Sequence, residues 1–115
     1  MKKLNESYLE IKKSKFIGLL YEVNSLDEVD SILDELSKEH KKARHIVYAY
    51  KIGGQEKNYA DKEPTGTTRG LLDIIHMKNL DNTLIVVIRY FGGTLLGSGP
   101  LTRTYTKVSA DLVRK

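Results

Sequence analysis

Five consecutive apolar residues at positions 84–88, with the sequence LIVVI, restrict the fold of this chain of 115 residues more than any other feature. A strand with one exposed face alternates apolar and polar side chains, whereas this run is apolar on both faces. The run is also far too short to cross a bilayer. It therefore predicts a central strand of a sheet.

Other segments of the chain supply neighbours for this strand. Residues 8–12 and 46–52 alternate between apolar and polar positions, as half-buried strands do, and a Gly-Gly pair follows the second of them. Residues 16–23 are more uniformly apolar, which predicts a second strand that pairs with residues 8–12. A shorter pattern at residues 55–60 is compatible with a returning strand.

Three segments have the pattern of helices. The first opens with a capping box at residues 25–28 (SLDE) and ends near His40, with its acidic residues on the solvent side. The second covers residues 71–77. For the third, Gly99 is the expected N-cap and Pro100 the first helical residue. Its apolar stripe consists of Leu101, Tyr105, Val108 and Leu112.

These elements predict an α+β class, with residues 1–115 as one domain. The expected architecture is a two-layer sandwich in which a mixed sheet of four to five strands is covered on one face by three helices. The chain has no cysteine, which excludes disulfides, thiol catalysis and cysteine-rich zinc sites. The N-terminus lacks the apolar segment of a signal peptide, so a cytoplasmic location is expected.

Glycines are concentrated between the central strand and the last helix. Amides at a helix N-terminus attract anions, and glycines let an anion approach them closely. The spacing fits neither of the common nucleotide-binding fingerprints, so nucleotide hydrolysis is not favoured. Alternatively, these glycines only provide positive φ angles and close packing. The candidate residues for a phosphate or an RNA backbone are Arg89, Gly92, Gly93, Gly97, Gly99, Arg103, Lys107 and Arg114.

A second candidate segment has the sequence DKEPTGTT and begins at Asp61. Asp61 and Glu63 have the chemistry of a paired acid and base, with His45 as a partner. Alternatively, the segment is a turn in which Thr65 or Thr67 caps the next helix. The residues of this motif loop are Glu63, Pro64, Thr65, Gly66 and Thr67. The three histidines lack the spacing of metal ligands, so we expect neither a metal nor a cofactor.

Charge is distributed unevenly along the chain. The net charge is +4 and residues 25–40 contribute −5, from six carboxylates and one lysine, so the other residues contribute +9. Such segregation permits a basic face for RNA or another polyanion. Alternatively, the lysines only keep a small domain in solution.

Three motifs, EIKKSKFIG, EPTGT and RYFGGTLLGSGPLTRTY, are similar in order and sequence to the YigZ/IMPACT family. The resemblance implies a fold like domain four of the translocating elongation factor and the second domain of a small-subunit ribosomal protein. It also implies a link to translation, since eukaryotic members regulate the response to amino-acid starvation. Family members commonly carry a second, ferredoxin-like domain, which we do not expect within residues 1–115. This chain departs from the family pattern after Thr67, where it reads TRGL.

The sequence therefore predicts a non-enzymatic module that binds RNA or the ribosome and regulates translation. One alternative is a small enzyme that acts on a phosphorylated substrate at the glycine-rich loop. Another is a protein-interaction domain that uses the acidic helix face. We expect no membrane partner, and the sequence does not predict an oligomeric state.

Overall fold

The computed structural model describes residues 2–114 and confirms the α+β class. It contains five strands and three helices. The strands are β1 (Lys2–Ile11), β2 (Ser14–Glu22), β3 (His45–Ile52), β4 (Gln55–Tyr59) and β5 (Thr83–Tyr90). The helices are α1 (Leu26–Glu39), α2 (Gly70–Met77) and α3 (Ser98–Val113). Within residues 2–114, no helix has both the length and the apolar character needed to span a membrane.

The strands form one sheet in the order β1-β2-β5-β3-β4. Strand β5 lies at its centre, as predicted, and its first seven residues are buried. Every neighbouring pair is antiparallel, so the expectation of a mixed sheet was wrong in this respect. The physical reason is the connectivity: β1–β2 and β3–β4 are hairpins, and β5 enters between them against the direction of both.

The helices lie on both faces of the sheet, which corrects the expectation that one face carries all three. Leu84, Val86 and Ile88 of β5 pack with the buried residues of α1. Ile85 and Val87, on the opposite face, pack with α2 and α3. A central strand that is apolar on both faces needs cover on both, and a single layer of helices leaves one face in water.

Local signals position the helix ends. The Ser25 hydroxyl accepts a hydrogen bond from the Glu28 amide at 3.2 Å, and the Glu28 carboxylate accepts one from the Asn24 amide at 2.7 Å. Helix α3 begins two residues earlier than expected, because Gly97 is its N-cap and the Leu101 amide already donates to the Gly97 carbonyl at 3.0 Å. The third helical residue is then proline, which the first turn tolerates because its amides have no partner inside the helix. The predicted apolar stripe of α3 is buried, as expected.

Four connecting segments meet at one end of the sheet, which we call the loop end. The register places the start of β2 beside the end of β5, the end of β5 beside the start of β3, and the start of β3 beside the end of β4. The segments of the loop end are therefore residues 12–13, 40–44, 60–69 and 91–97. The connections at residues 23–25, 53–54 and 78–82 lie at the opposite end.

Candidate nucleic-acid interface

A buried ion pair lies beneath the loop end. Arg89 is near the end of β5, and its Nη1 donates to both carboxylate oxygens of Glu63, at 2.9 and 2.8 Å. The two side chains are only 6% and 2% exposed. Each charge is compensated by the other, as a buried ion pair requires. The pair fixes the segment 60–69 to the central strand.

Tyr105 of α3 completes this buried group. Its hydroxyl donates to the second carboxylate oxygen of Glu63, and its ring meets the ring of Phe16 edge to face at 5.3 Å. Burial, followed by the hydrogen bond to Glu63, raises the pKa of Tyr105 well above its ordinary value. The carboxylate of Glu63 thus connects β5, α3 and the loop between β4 and α2.

His45 and Asp61 border the ion pair. The Nε2 atom of His45 lies 3.5 Å from Glu63 Oε1, and its Nδ1 atom lies 2.7 Å from the Asp61 carbonyl oxygen. The Asp61 carboxylate accepts a hydrogen bond from the Ile46 amide at 2.7 Å. The three residues proposed as acid, base and partner are therefore brought together. Both oxygens of Glu63 are already hydrogen-bonded within the protein, so this carboxylate holds the loop in place.

The motif loop turns the chain into α2 without capping that helix by a side chain. Gly66 adopts a positive φ of 85°. The Thr67 hydroxyl donates to the Pro64 carbonyl at 2.8 Å, within the motif loop itself. The N-cap of α2 is Arg69, which makes no side-chain capping bond, so the expectation of a threonine cap was wrong. Pro64 and Thr65 are exposed, whereas Glu63 and Thr67 are buried.

The glycines of the loop after β5 have different roles. At Gly92, an added Cβ would lie 2.1 Å from the Lys13 carbonyl carbon, so close packing requires glycine there. Gly93 has a φ of +93° and nothing within 4 Å of the Cβ position, so its conformation rather than its packing requires glycine. Gly97 has an ordinary φ of −67°. Gly99 lies in the first turn of α3, beside the guanidinium of Arg103.

The cations predicted to bind phosphate are not equally accessible. Arg89 is turned inward onto Glu63, which removes it from the surface set. Lys107 and Arg114 are exposed, and both contact the Asp111 carboxylate, at 3.3 and 2.9 Å. Arg103 is exposed, and no carboxylate within residues 2–114 forms an ion pair with it. Of these four side chains, Arg103 is best placed to meet an anion.

The structure also brings together cations that the sequence analysis did not select. The loop-end segments carry seven lysines and arginines against two carboxylates, Asp61 and Glu63. All seven are exposed, and none forms an ion pair within the described part of the chain. The three connections at the opposite end carry Lys78 and Asp81. We call the seven residues the loop-end cations: Lys12, Lys13, Lys41, Lys42, Arg44, Lys62 and Arg69.

A cleft of about 190 Å³ opens at the loop end, above the buried ion pair. The guanidinium of Arg44 lies over the ring of Phe91, with 4.5 Å between its Cζ atom and the ring centroid. The Arg44 amide donates to the Arg89 carbonyl at 2.8 Å, which fixes the start of this arrangement. The other walls include Lys62, Pro64, Leu95, Leu96 and Leu101. The cleft thus combines apolar walls with the cations Arg44 and Lys62, neither of which is paired with a carboxylate in the described part of the chain.

Comparison with known proteins supports the resemblance noted in the sequence. The model of the Impact N-terminal domain matches residues 12–113. The IMPACT family member YvyE of Bacillus subtilis (strain 168) is 37% identical over 111 residues, covering 93% of this chain and 51% of that protein. The IMPACT family member YigZ of Escherichia coli (strain K12) is 33% identical over 102 residues, covering 84% of this chain and 50% of that protein. This chain therefore spans about half the length of both relatives.

A solved structure described as a hypothetical protein has the same fold. It superposes with a TM-score of 0.91 at 28% sequence identity, covering all of this chain and 62% of the other. The family match extends from the β1–β2 turn to the end of α3 and includes the glycine-rich loop, the motif loop and the buried ion pair. This chain belongs to the Impact N-terminal domain family.

Proposed function

We propose that this domain regulates translation by binding structured RNA or the ribosome through phosphates at its loop end. The observation that carries the proposal is the position of the seven loop-end cations at one end of the sheet, all exposed and without an intramolecular ion pair within residues 2–114. The link to translation comes from the family, and the chemistry of the loop end fits a phosphate backbone.

The surroundings favour an anion at this end. The positive end of the α3 dipole lies at the loop end, and Arg103 lies one turn into that helix. Helix α2 also begins at the loop end, whereas α1, on the other face of the sheet, ends there with Glu39 and the negative end of its dipole. A polyanion is therefore drawn to one end of the molecule rather than to its whole surface.

This arrangement predicts how binding depends on salt. If about four phosphates are contacted, the logarithm of the binding constant falls with the logarithm of salt concentration with a slope of about −3 to −4. Phosphate contacts position the RNA without reading its sequence, so the affinity is expected to vary little between sequences of the same shape.

The test is a titration of labelled transfer RNA and of purified ribosomal subunits at several salt concentrations. Charge reversal at Lys12 and Lys62 (Lys12→Glu with Lys62→Glu) is expected to weaken binding of every RNA and to reduce the salt slope by about 2. The matched control is Lys78→Glu, at the opposite end of the sheet. This variant is expected to leave the RNA affinity and the salt slope unchanged. Absence of binding by the unaltered domain at low salt, or equal binding by the double variant, would contradict the proposal.

A further inference from the structure

We infer that the cleft beside Phe91 takes one unpaired nucleotide of RNA, whose base stacks on the Arg44 guanidinium. This inference rests on the proposed function, to which it adds the structural class of the RNA. A perfectly paired helix offers the loop-end cations only its phosphates, whereas a bulge or a single-stranded end also supplies a free base.

The first support is the cation–π contact between Arg44 and Phe91. The Arg44 Cζ atom lies over the phenyl ring, 4.5 Å from its centroid, and the backbone of Arg44 is fixed by the bond from its amide to the Arg89 carbonyl. No carboxylate within residues 2–114 forms an ion pair with Arg44, which is exposed. A flat, supported guanidinium is a surface on which RNA-binding proteins stack unpaired bases.

The second support is the chemistry of the cleft walls. Leu95 is 82% exposed, an unusual position for a large apolar side chain among so many cations. It lines the cleft together with Leu96 and Leu101, while Lys62 provides a charge at the rim. Apolar walls suit the faces of a base, and the neighbouring cations suit the phosphates on either side of it. An acidic peptide would satisfy the charges but would not use the flat Arg44–Phe91 surface.

The third support is the dimension of the site. A cleft of about 190 Å³ admits one planar group, and it is closed below by the side chains of Glu63 and Arg89. A base inside a duplex is stacked and paired, so it cannot enter without leaving the helix. Stacking is sequence-tolerant because every base has a π-face, so the site is expected to prefer an unpaired nucleotide of any identity.

The experiment compares two labelled RNA probes: a fully paired hairpin and the same hairpin with one unpaired adenosine. The unaltered domain is expected to bind the bulged hairpin about tenfold more tightly, the effect of stacking one base. Arg44→Lys keeps the positive charge but replaces the planar guanidinium with an ammonium group. Phe91→Leu keeps an apolar side chain but removes the aromatic ring. Both are expected to reduce the tenfold ratio towards one. Lys78→Ala, at the opposite end, is expected to keep the ratio.

The outcomes separate this inference from the proposed function. Equal binding of the two hairpins by the unaltered domain overturns the nucleotide site and leaves RNA binding through phosphates in place. Binding of neither hairpin overturns both. A ratio that persists in Arg44→Lys also overturns the site, and this exposed position decides the matter if Phe91→Leu fails to fold. Tighter binding of a polyglutamate peptide than of either hairpin would assign the surface to an acidic protein instead.

Discussion

Arg89 and Glu63 are 26 residues apart in the sequence, and one guanidinium nitrogen of Arg89 donates to both carboxylate oxygens of Glu63 inside the protein. The pair joins the central strand to the long connection that precedes α2. An arginine at the end of a strand and a glutamate in a polar loop both resemble surface residues in the sequence. In the structure they form a buried ion pair beneath the loop end.

Replacement of the buried carboxylate is expected to destabilise the domain strongly. Glu63→Gln leaves the Arg89 guanidinium buried without a compensating charge, at a cost of about 3–5 kcal/mol in the free energy of unfolding. The matched control is Glu6→Gln, which removes a carboxylate from the exposed Lys3–Glu6 pair and is expected to cost less than about 1 kcal/mol. Urea denaturation measures both. Similar values for the two variants would show that the buried charges are not essential to stability.

Tyr105→Phe is expected to give a stability difference that depends on pH. At neutral pH the variant loses a hydrogen bond to a charged carboxylate, worth about 1.5–3 kcal/mol. The folded-state pKa of Tyr105 is raised above 10.0, so above about pH 10 the unfolded wild-type chain loses this proton while the folded chain keeps it. The difference should therefore narrow by up to about 1.4 kcal/mol per pH unit above about pH 10. Urea melts of both proteins from neutral to alkaline pH test this, and a constant difference would contradict it.

Three alanine substitutions in the glycine-rich loop should separate packing from backbone conformation. Gly92→Ala places a methyl group against the backbone of the β1–β2 turn and is expected to cost more than about 2 kcal/mol. Gly93→Ala only forces an alanine into positive φ, at about 1–2 kcal/mol. Gly97→Ala, with its ordinary φ, should stay within about 1 kcal/mol. Thermal melts giving another order would show that the loop rearranges.

The faces of α3 provide a test of its packing. Leu101→Ala removes a buried side chain and is expected to cost about 2–5 kcal/mol, with Val108→Ala somewhat less. Lys107→Ala, on the exposed face, should change stability by no more than about 0.5 kcal/mol. Denaturant melts measure all three, and a large effect at Lys107 would mean that its contact with Asp111 matters more than exposure suggests.

Local patterns predicted the elements of this fold well. The run at residues 84–88 indicated the central strand, the Ser25 capping box indicated the start of α1, and the spacing of Leu101, Tyr105 and Val108 indicated the buried face of α3. Each of these signals depends only on residues that are close in the sequence, within a single strand or within a few turns of one helix. The placement of α1 on the other face of the sheet depends on the packing of whole elements, and no local pattern contains it.

The candidate site was harder to predict, because its residues are distant in sequence. Arg89 looked like a surface cation until the fold placed Glu63 beside it. The pairs at residues 12–13 and 41–42 were visible as short basic runs, but only the register of the strands brings them to one end. Predicting these pairs as one site would have required the strand order, because the strand order determines which connections lie at the same end of the sheet.

The strand order also determines when the sheet is completed during synthesis. The hairpins β1–β2 and β3–β4 are local and are made first, yet they pair only through β5, which the ribosome adds last of the five strands. Until residues 83–90 emerge, the inner edges of β2 and β3 have no partner, and unpaired edges invite association with other chains. Any pause in elongation before β5 therefore exposes a nascent chain with two open edges, and both edges close only when residues 83–90 pair with them.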